Sequence, residues 1–169
     1  VGEDSGFGYS VLVGNAHRAN VSFNTGIYTS GRGRHFVYFS GGASYCKAVF
    51  NEFSGGNKDA ITIYSYNTQP TCQNNVVAYN TLTFCAMGGT YNDSAISAFG
   101  NVNFSTIEHN TVLDSGGLGI VAQGTSAGGL TKNTLVRFNT VLRSGLIGIE
   151  IKSATGAVVS GNRVSESSQ

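Results

Sequence analysis

Short apolar runs that end in an asparagine recur six times along this chain, each followed two residues later by another apolar residue or a glycine. The units are Val21-Ser-Phe-Asn24-Thr-Gly26, Ala48-Val-Phe-Asn51-Glu-Phe53, Val77-Ala-Tyr-Asn80-Thr-Leu82, Ile107-Glu-His-Asn110-Thr-Val112, Val136-Arg-Phe-Asn139-Thr-Val141 and Val159-Ser-Gly-Asn162-Arg-Val164. Their asparagines are 27, 29, 30, 29 and 23 residues apart. A fixed period of this length is the mark of a solenoid, in which each repeat buries its apolar face only against its neighbours.

Between the asparagine units lies a second periodic set: Val11-Leu-Val13, Val37-Tyr-Phe39, Ile61-Thr-Ile63, Ile96-Ser-Ala98, Ile120-Val-Ala122 and Ile149-Glu-Ile151. These alternate as strands with one buried face should. Glycine pairs such as Gly41-Gly42, Gly55-Gly56, Gly88-Gly89, Gly116-Gly117 and Gly128-Gly129 punctuate the sets. No segment carries a helical period. Strands of this kind, joined by bends without helices, stack as parallel rungs about 4.8 Å apart, so six coils span roughly 29 Å. The asparagine is expected to supply the bend through the left-handed conformation it tolerates, and to bond to its counterparts from rung to rung. The residues before it, Phe23, Phe50, Tyr79, His109 and Phe138, then form an aromatic column. The predicted fold is all-β: a single parallel β-helix domain over residues 1–169, with about six coils and an asparagine ladder.

Composition narrows the function classes. Charged residues make up 11% of the chain, with a net charge of +1, and no lysine–arginine stripe offers a surface to nucleic acid. No apolar run reaches the length of a membrane-spanning helix. Cys46, Cys72 and Cys85 lack paired spacing and read as small buried hydrophobes, with a Cys72–Cys85 bridge as the alternative. The chain starts at Val1-Gly-Glu-Asp without a leader pattern, and a strand comes early, so an excerpt of a longer protein is expected.

The repeated V-x-x-N-T-V coils with their second strand set, from about Gly8 to Val164, resemble right-handed parallel β-helix proteins of the pectate-lyase-like superfamily. That superfamily includes pectate and alginate lyases, polygalacturonases, C5-epimerases and bacteriophage tailspike depolymerases. The stretch Gly33-Arg-His-Phe-Val-Tyr-Phe-Ser-Gly-Gly42 is most similar to tailspike coils. The resemblance implies recognition or cleavage of acidic or complex polysaccharides, an extracellular or virion-surface location and a homotrimer. Some lyases of this kind bind Ca²⁺ through carboxylates, but no ligand spacing here supports a metal, and no cofactor is expected.

The repeat also acts as a ruler. With Val37, Ile61 and Ile96 equivalent, Arg34, Lys58 and Asp93 share one column, and His35, Asp59 and Ser94 the next. Tyr38, Thr62 and Ser97 point outward one residue later; Ser40, Tyr64 and Phe99 follow. The other coils have Gly8-Tyr9, Gly117-Leu118 and Leu146-Ile147 in the first two columns, with no charge. Three consecutive coils thus concentrate charge beside Tyr38, Tyr64, Tyr66 and Phe99. Aromatic faces with interspersed charged groups suit a sugar. Asp59, Asp93 and His35 are the candidate catalytic residues; Arg34, Tyr38, Lys58, Tyr64, Tyr66 and Phe99 are the candidate substrate contacts. One rung of offset puts the two carboxyls about 5–9 Å apart, which spans both retaining and inverting glycosidase geometries. For a lyase, Arg34 and Lys58 supply cations, and His35 or Tyr38 the base. The competing reading is a non-catalytic shaft or receptor-binding module. Elsewhere, His109 is expected to stack in the aromatic column, and Glu150 and Lys152 to form a surface salt bridge. Glu3 and Asp4 extend the acidic cluster if they lie beside it, and nothing in the sequence decides the role of Glu52.

Overall fold

In a computed structural model of the chain, residues 9–29, 35–125 and 129–168 are described. They contain strands only, arranged in four sheets, and every strand pair is parallel. The long sheet stacks Tyr9–Gly14, His35–Ser40, Ile61–Ser65, Ser94–Gly100, Leu118–Gln123 and Ile149–Lys152 in chain order. Two further six-stranded sheets run through the asparagine units, one ending before the asparagine (Val76–Ala78 in the third coil) and one starting after it (Thr81–Thr83). A fourth sheet of two-residue strands, Cys72–Gln73 to Ala154–Thr155, closes four of the coils. The chain is a parallel β-helix of six coils.

The register of the long sheet is the one that the second apolar set predicts. Val11, Val37, Ile61, Ile96, Ile120 and Ile149 are paired in series along the long sheet. The middle members are fully buried, as are Phe39, Ile63, Ala98 and Ala122 in the next inward column. Val77, Ile107 and Val136, with Leu82, Val112 and Val141, close the core from the other sheets. Stacking like on like fills the interior with columns of apolar side chains, so each coil's apolar area is removed from water by the coils on either side.

The asparagine ladder is formed. Each amide Nδ2 donates to the Oδ1 of the next asparagine from Asn24 through Asn51, Asn80, Asn110 and Asn139 to Asn162, at 2.8–3.0 Å. The same Oδ1 atoms accept the backbone N–H of the preceding asparagine at 2.9–3.0 Å. The bend itself differs from expectation. The left-handed residue is the one before the asparagine: Phe23, Phe50, Tyr79, His109 and Phe138 have φ between 53° and 57°. The asparagine side chain is committed to the interior, so the preceding residue takes the strained conformation. Its ring then lies outside and stacks on its neighbours with centroids 4.9–5.2 Å apart. Ring pairs of this kind contribute about 0.5–1.5 kcal/mol each, which offsets a left-handed penalty of about 1–2 kcal/mol per residue. In the last coil Gly161 takes the position with φ 63°, and a Cβ there would lie 2.5 Å from the Phe138 ring.

Cys46, Cys72 and Cys85 are free thiols inside the core. Burial pushes Cys85 up to about 12 and raises Cys72 as well, so both stay protonated. The Cys72–Cys85 bridge is not formed.

Candidate functional site

Strict alternation would turn His35, Asp59 and Ser94 inward with Val37, Ile61 and Ile96. It fails at the start of the long-sheet strands. Phe36 and Val37 both donate their backbone N–H to the Ala60 carbonyl, at 3.0 Å each, and Phe36, Ala60 and Ala95 are buried beside the main inward column. Two residues opposing one is a bulge, a device that re-aims side chains next to functional sites. The bulge turns His35 outward, the paired burial of Ala60 with Ile61 and of Ala95 with Ile96 does the same for Asp59 and Ser94, and with Tyr38, Thr62 and Ser97 all six line one hollow of about 300 Å³. Gly26 makes room for the bulge. A Cβ there would sit 2.8 Å from the Phe36 ring, which is sandwiched between Tyr28 and Phe53.

Asp59 is the chemical centre of the hollow. Its Oδ1 accepts the Ser94 N–H at 2.7 Å, and its Oδ2 accepts the hydroxyls of Ser97 at 2.6 Å and Thr62 at 3.2 Å. Burial of the carboxyl raises its pKa; the three donors and the distant Asp93 charge act in opposite senses, and desolvation is the largest effect. The Thr62 hydroxyl also lies 3.1 Å from His35 Nδ1, so His35, Thr62, Asp59 and Ser97 form one hydrogen-bonded chain. With Asp59 ionised, Thr62 spends its proton on the carboxylate, and His35 Nδ1 becomes the donor to Thr62.

Aromatic side chains surround this chain of polar groups. His35 stacks on Tyr9 and meets the Tyr38 ring edge-on, and Tyr38, Tyr64 and Phe99 continue along the sheet with centroids 5.4–6.1 Å apart. Burial, followed by the neighbouring tyrosines and Asp59, holds the Tyr38 phenol far above its ordinary range; burial and Tyr66 do the same for Tyr64. Both phenols remain hydrogen-bond donors and neither serves as a base.

Of the residues expected from sequence, His35, Asp59, Tyr38, Tyr64 and Phe99 line this hollow. Tyr66 stands beside Tyr64 but lines a second hollow further along the sheet. Asp93 and Lys58 do not line the first. Asp93 is fully buried, ion-paired with Lys58, and accepts the Thr90 hydroxyl at 2.7 Å. It ties down the turn that carries Tyr91 and Asn92 to the rim of the hollow. Arg34, Glu3 and Asp4 lie outside the described residues. Sequence comparison of coils missed Tyr91 and Asn92 because they precede the strand, in a loop without an equivalent in other coils. The partners of Asp59 were visible as the outward Thr62 and Ser97 column.

Other expectations resolve in the same way. His109 stacks between Tyr79 and Phe138. Glu108 pairs with Arg137 at 2.7 Å and Asp114 with Arg143 at 2.6 Å. The Glu150–Lys152 salt bridge is not formed; on the neighbouring strand Glu150 lies opposite Val121 and Lys152 opposite Gln123. Glu52 is exposed on the sheet after the asparagine corner, away from the hollow. Among the described residues no three His, Cys, Asp or Glu side chains converge as a metal site requires, and no helix is long and apolar enough to cross a membrane.

The fold defines a parallel β-helix solenoid with an aromatic-walled, carboxyl-bearing hollow on its long sheet. No protein-family model matches the chain, and no curated protein or solved structure matches it.

Proposed function

We propose that this domain binds and cleaves a polysaccharide on the outer face of its long sheet, in the manner of the pectate-lyase-like superfamily and its tailspike members. The observation that carries this reading is Asp59, a half-buried carboxyl held by three hydrogen-bond donors and flanked by tyrosines in an open hollow. A carboxyl with a raised pKa keeps its proton closer to neutral pH and can deliver it to a departing glycosidic oxygen. His35, joined to Asp59 through the Thr62 hydroxyl, accepts the proton of the attacking water. Tyr38, Tyr64 and Phe99 hold the sugar rings, whose apolar faces suit aromatic surfaces. The hydrolytic reading is favoured over elimination, since Lys58 is engaged by Asp93 rather than presented to a uronate.

One observation favours a second reading, a non-catalytic glycan-binding module: Asp59 is the only carboxyl that lines the hollow among the described residues. The two readings part in one experiment. Reducing-end release from acidic and capsular polysaccharides is measured alongside affinity electrophoresis for wild type, Asp59→Asn, His35→Ala and Tyr64→Ala. Loss of a general acid lowers turnover by about 10²–10⁴-fold with binding retained. Tyr64→Ala weakens binding by about 1–2 kcal/mol, some 5- to 30-fold in affinity. Unchanged turnover in Asp59→Asn sinks the catalytic assignment; binding without any release leaves the binding module. Products that absorb as unsaturated uronates reassign the reaction to elimination. The same reading carries an extracellular or virion-surface location and a homotrimer, which sedimentation of the purified domain tests.

A further inference from the structure

The long-sheet face does not end at the first hollow. A second one, of about 580 Å³, opens beside it and shares Asn92, Phe99 and Gln123 with it. The shared residues make the two a single groove. Its direction follows from the register: Tyr64 pairs with Phe99, Phe99 with Gln123, and Gln123 with Lys152, one outward side chain per rung. The groove therefore crosses the strands and runs along the solenoid axis. Its lining changes from aromatic at Tyr64 to amide at Gln123 and cationic at Lys152.

Lys152 is exposed in this second hollow and makes no ion pair among the described residues. Among the described residues no carboxylate lines the hollow there; its polar walls are amides and hydroxyls, with Thr125 donating to Asn67 Oδ1 at 3.0 Å to tie two wall loops together. Glu150 is the nearest acidic position on the same strand, but it belongs to the neighbouring outward column, opposite Val121, and lines neither hollow. Lysine and glutamine beside an aromatic platform form a receptor for a sugar that carries an anionic substituent. Tyr64 and Lys152 stand three rungs apart, about 14 Å at ~4.8 Å per rung, so no single sugar touches both.

We propose that Lys152 forms a charge-selecting subsite at the far end of the groove, and that the ligand is an acidic oligosaccharide laid along the solenoid axis with its carboxylate or sulfate on Lys152. This rests on the glycan reading of the first hollow and adds the direction, minimum length and charge of the ligand. The probes are hexamers and dimers of galacturonate and of its carboxyl-reduced, neutral counterpart, together with sulfated and neutral hexamers of a second backbone. They are titrated calorimetrically against wild type, Lys152→Gln and Tyr64→Ala. Wild type is expected to bind acidic hexamers about tenfold more tightly than neutral ones, a gap of about 1.4 kcal/mol, and to show no such preference among dimers. Lys152→Gln should abolish the preference while leaving neutral hexamers unchanged, and added salt should erode it in wild type alone. Equal binding of acidic and neutral hexamers, or a preference that survives Lys152→Gln, overturns the subsite and leaves the first hollow intact. Failure of every hexamer to bind, or binding indifferent to Tyr64→Ala, overturns both readings.

Discussion

The asparagine corner and the long-sheet face are built from the same six coils, yet they use repetition in opposite ways. At the corner every coil presents the same group, and the amides of Asn24 to Asn162 close a continuous ladder with contacts that vary by only 0.2 Å. On the face, equivalent positions read Tyr38, Thr62, Ser97, Val121 and Glu150, or Ser40, Tyr64, Phe99, Gln123 and Lys152. Identity from rung to rung satisfies buried polar groups, because each donor meets the same acceptor one step on. Variation from rung to rung makes a chemically graded surface on a backbone that does not change. The corner repeats one bonding scheme, and the face varies its chemistry from coil to coil.

The largest effect that tests this division is expected at the middle of the ladder. Asn80 accepts from both the backbone and the side chain of Asn51, and its own amide donates to Ala48 O and Asn110 Oδ1. Asn80→Ala leaves several of these buried groups unpaired, at about 1–3 kcal/mol each, so a loss of about 3–5 kcal/mol is expected in urea unfolding. Asn24→Ala, at the exposed end of the ladder, should cost a fraction of that. Equal losses at the two positions would show that the ladder does not act through burial.

An intermediate effect belongs to the face and depends on pH. Asp59 has a folded pKa above its unfolded value because burial disfavours its charge. Its favourable contribution is fully present below the unfolded pKa, near 3.9, and is lost as pH rises through the folded pKa. The stability difference between Asp59→Asn and wild type should therefore shift in favour of the variant as pH rises from about 4 toward neutrality. Thermal melts of both proteins across that range check it, and a difference that moves the other way contradicts the buried-carboxyl description.

The smallest effect is expected on the outer rim of the corner. Tyr79→Gly removes ring contacts with Phe50 and His109 but relieves a left-handed residue of its Cβ. Two stacking terms of about 0.5–1.5 kcal/mol stand against a penalty of similar size, so the net change should stay within about 1 kcal/mol. A loss of several kcal/mol would make the aromatic stripe, rather than the amide ladder, the chief stabilising feature of the corner.

Much of this was legible in the chain before any coordinates. The asparagine repeat marked the coils, and the second apolar set gave the register that pairs Val37 with Ile61 and Tyr64 with Phe99. Three things were not. The bulge at Phe36 and Val37, where two N–H groups share one carbonyl, turns His35 outward, and the paired burial of Ala60 and Ile61 does so for Asp59; no residue pattern announces either. Asp93 carries the same charge as Asp59 and adjoins it in the column alignment, yet it is buried under its own turn with Lys58 and Thr90. The left-handed residue at the corner is the aromatic rather than the asparagine, because an amide can bridge rungs only from inside.

The sequence by itself determined the solenoid, its six coils, the asparagine ladder and the coils that carry the unusual residues. Those are properties of period and of like stacking on like, and period is a one-dimensional quantity. Only the tertiary structure decided which carboxyl meets the hollow, which cation is spent on a partner, and that two hollows join along the axis. These depend on side-chain direction and on hydrogen bonds between residues some 30 or more positions apart, such as Asp59 with Ser94 and Ser97. Such contacts exist only once the coils have stacked.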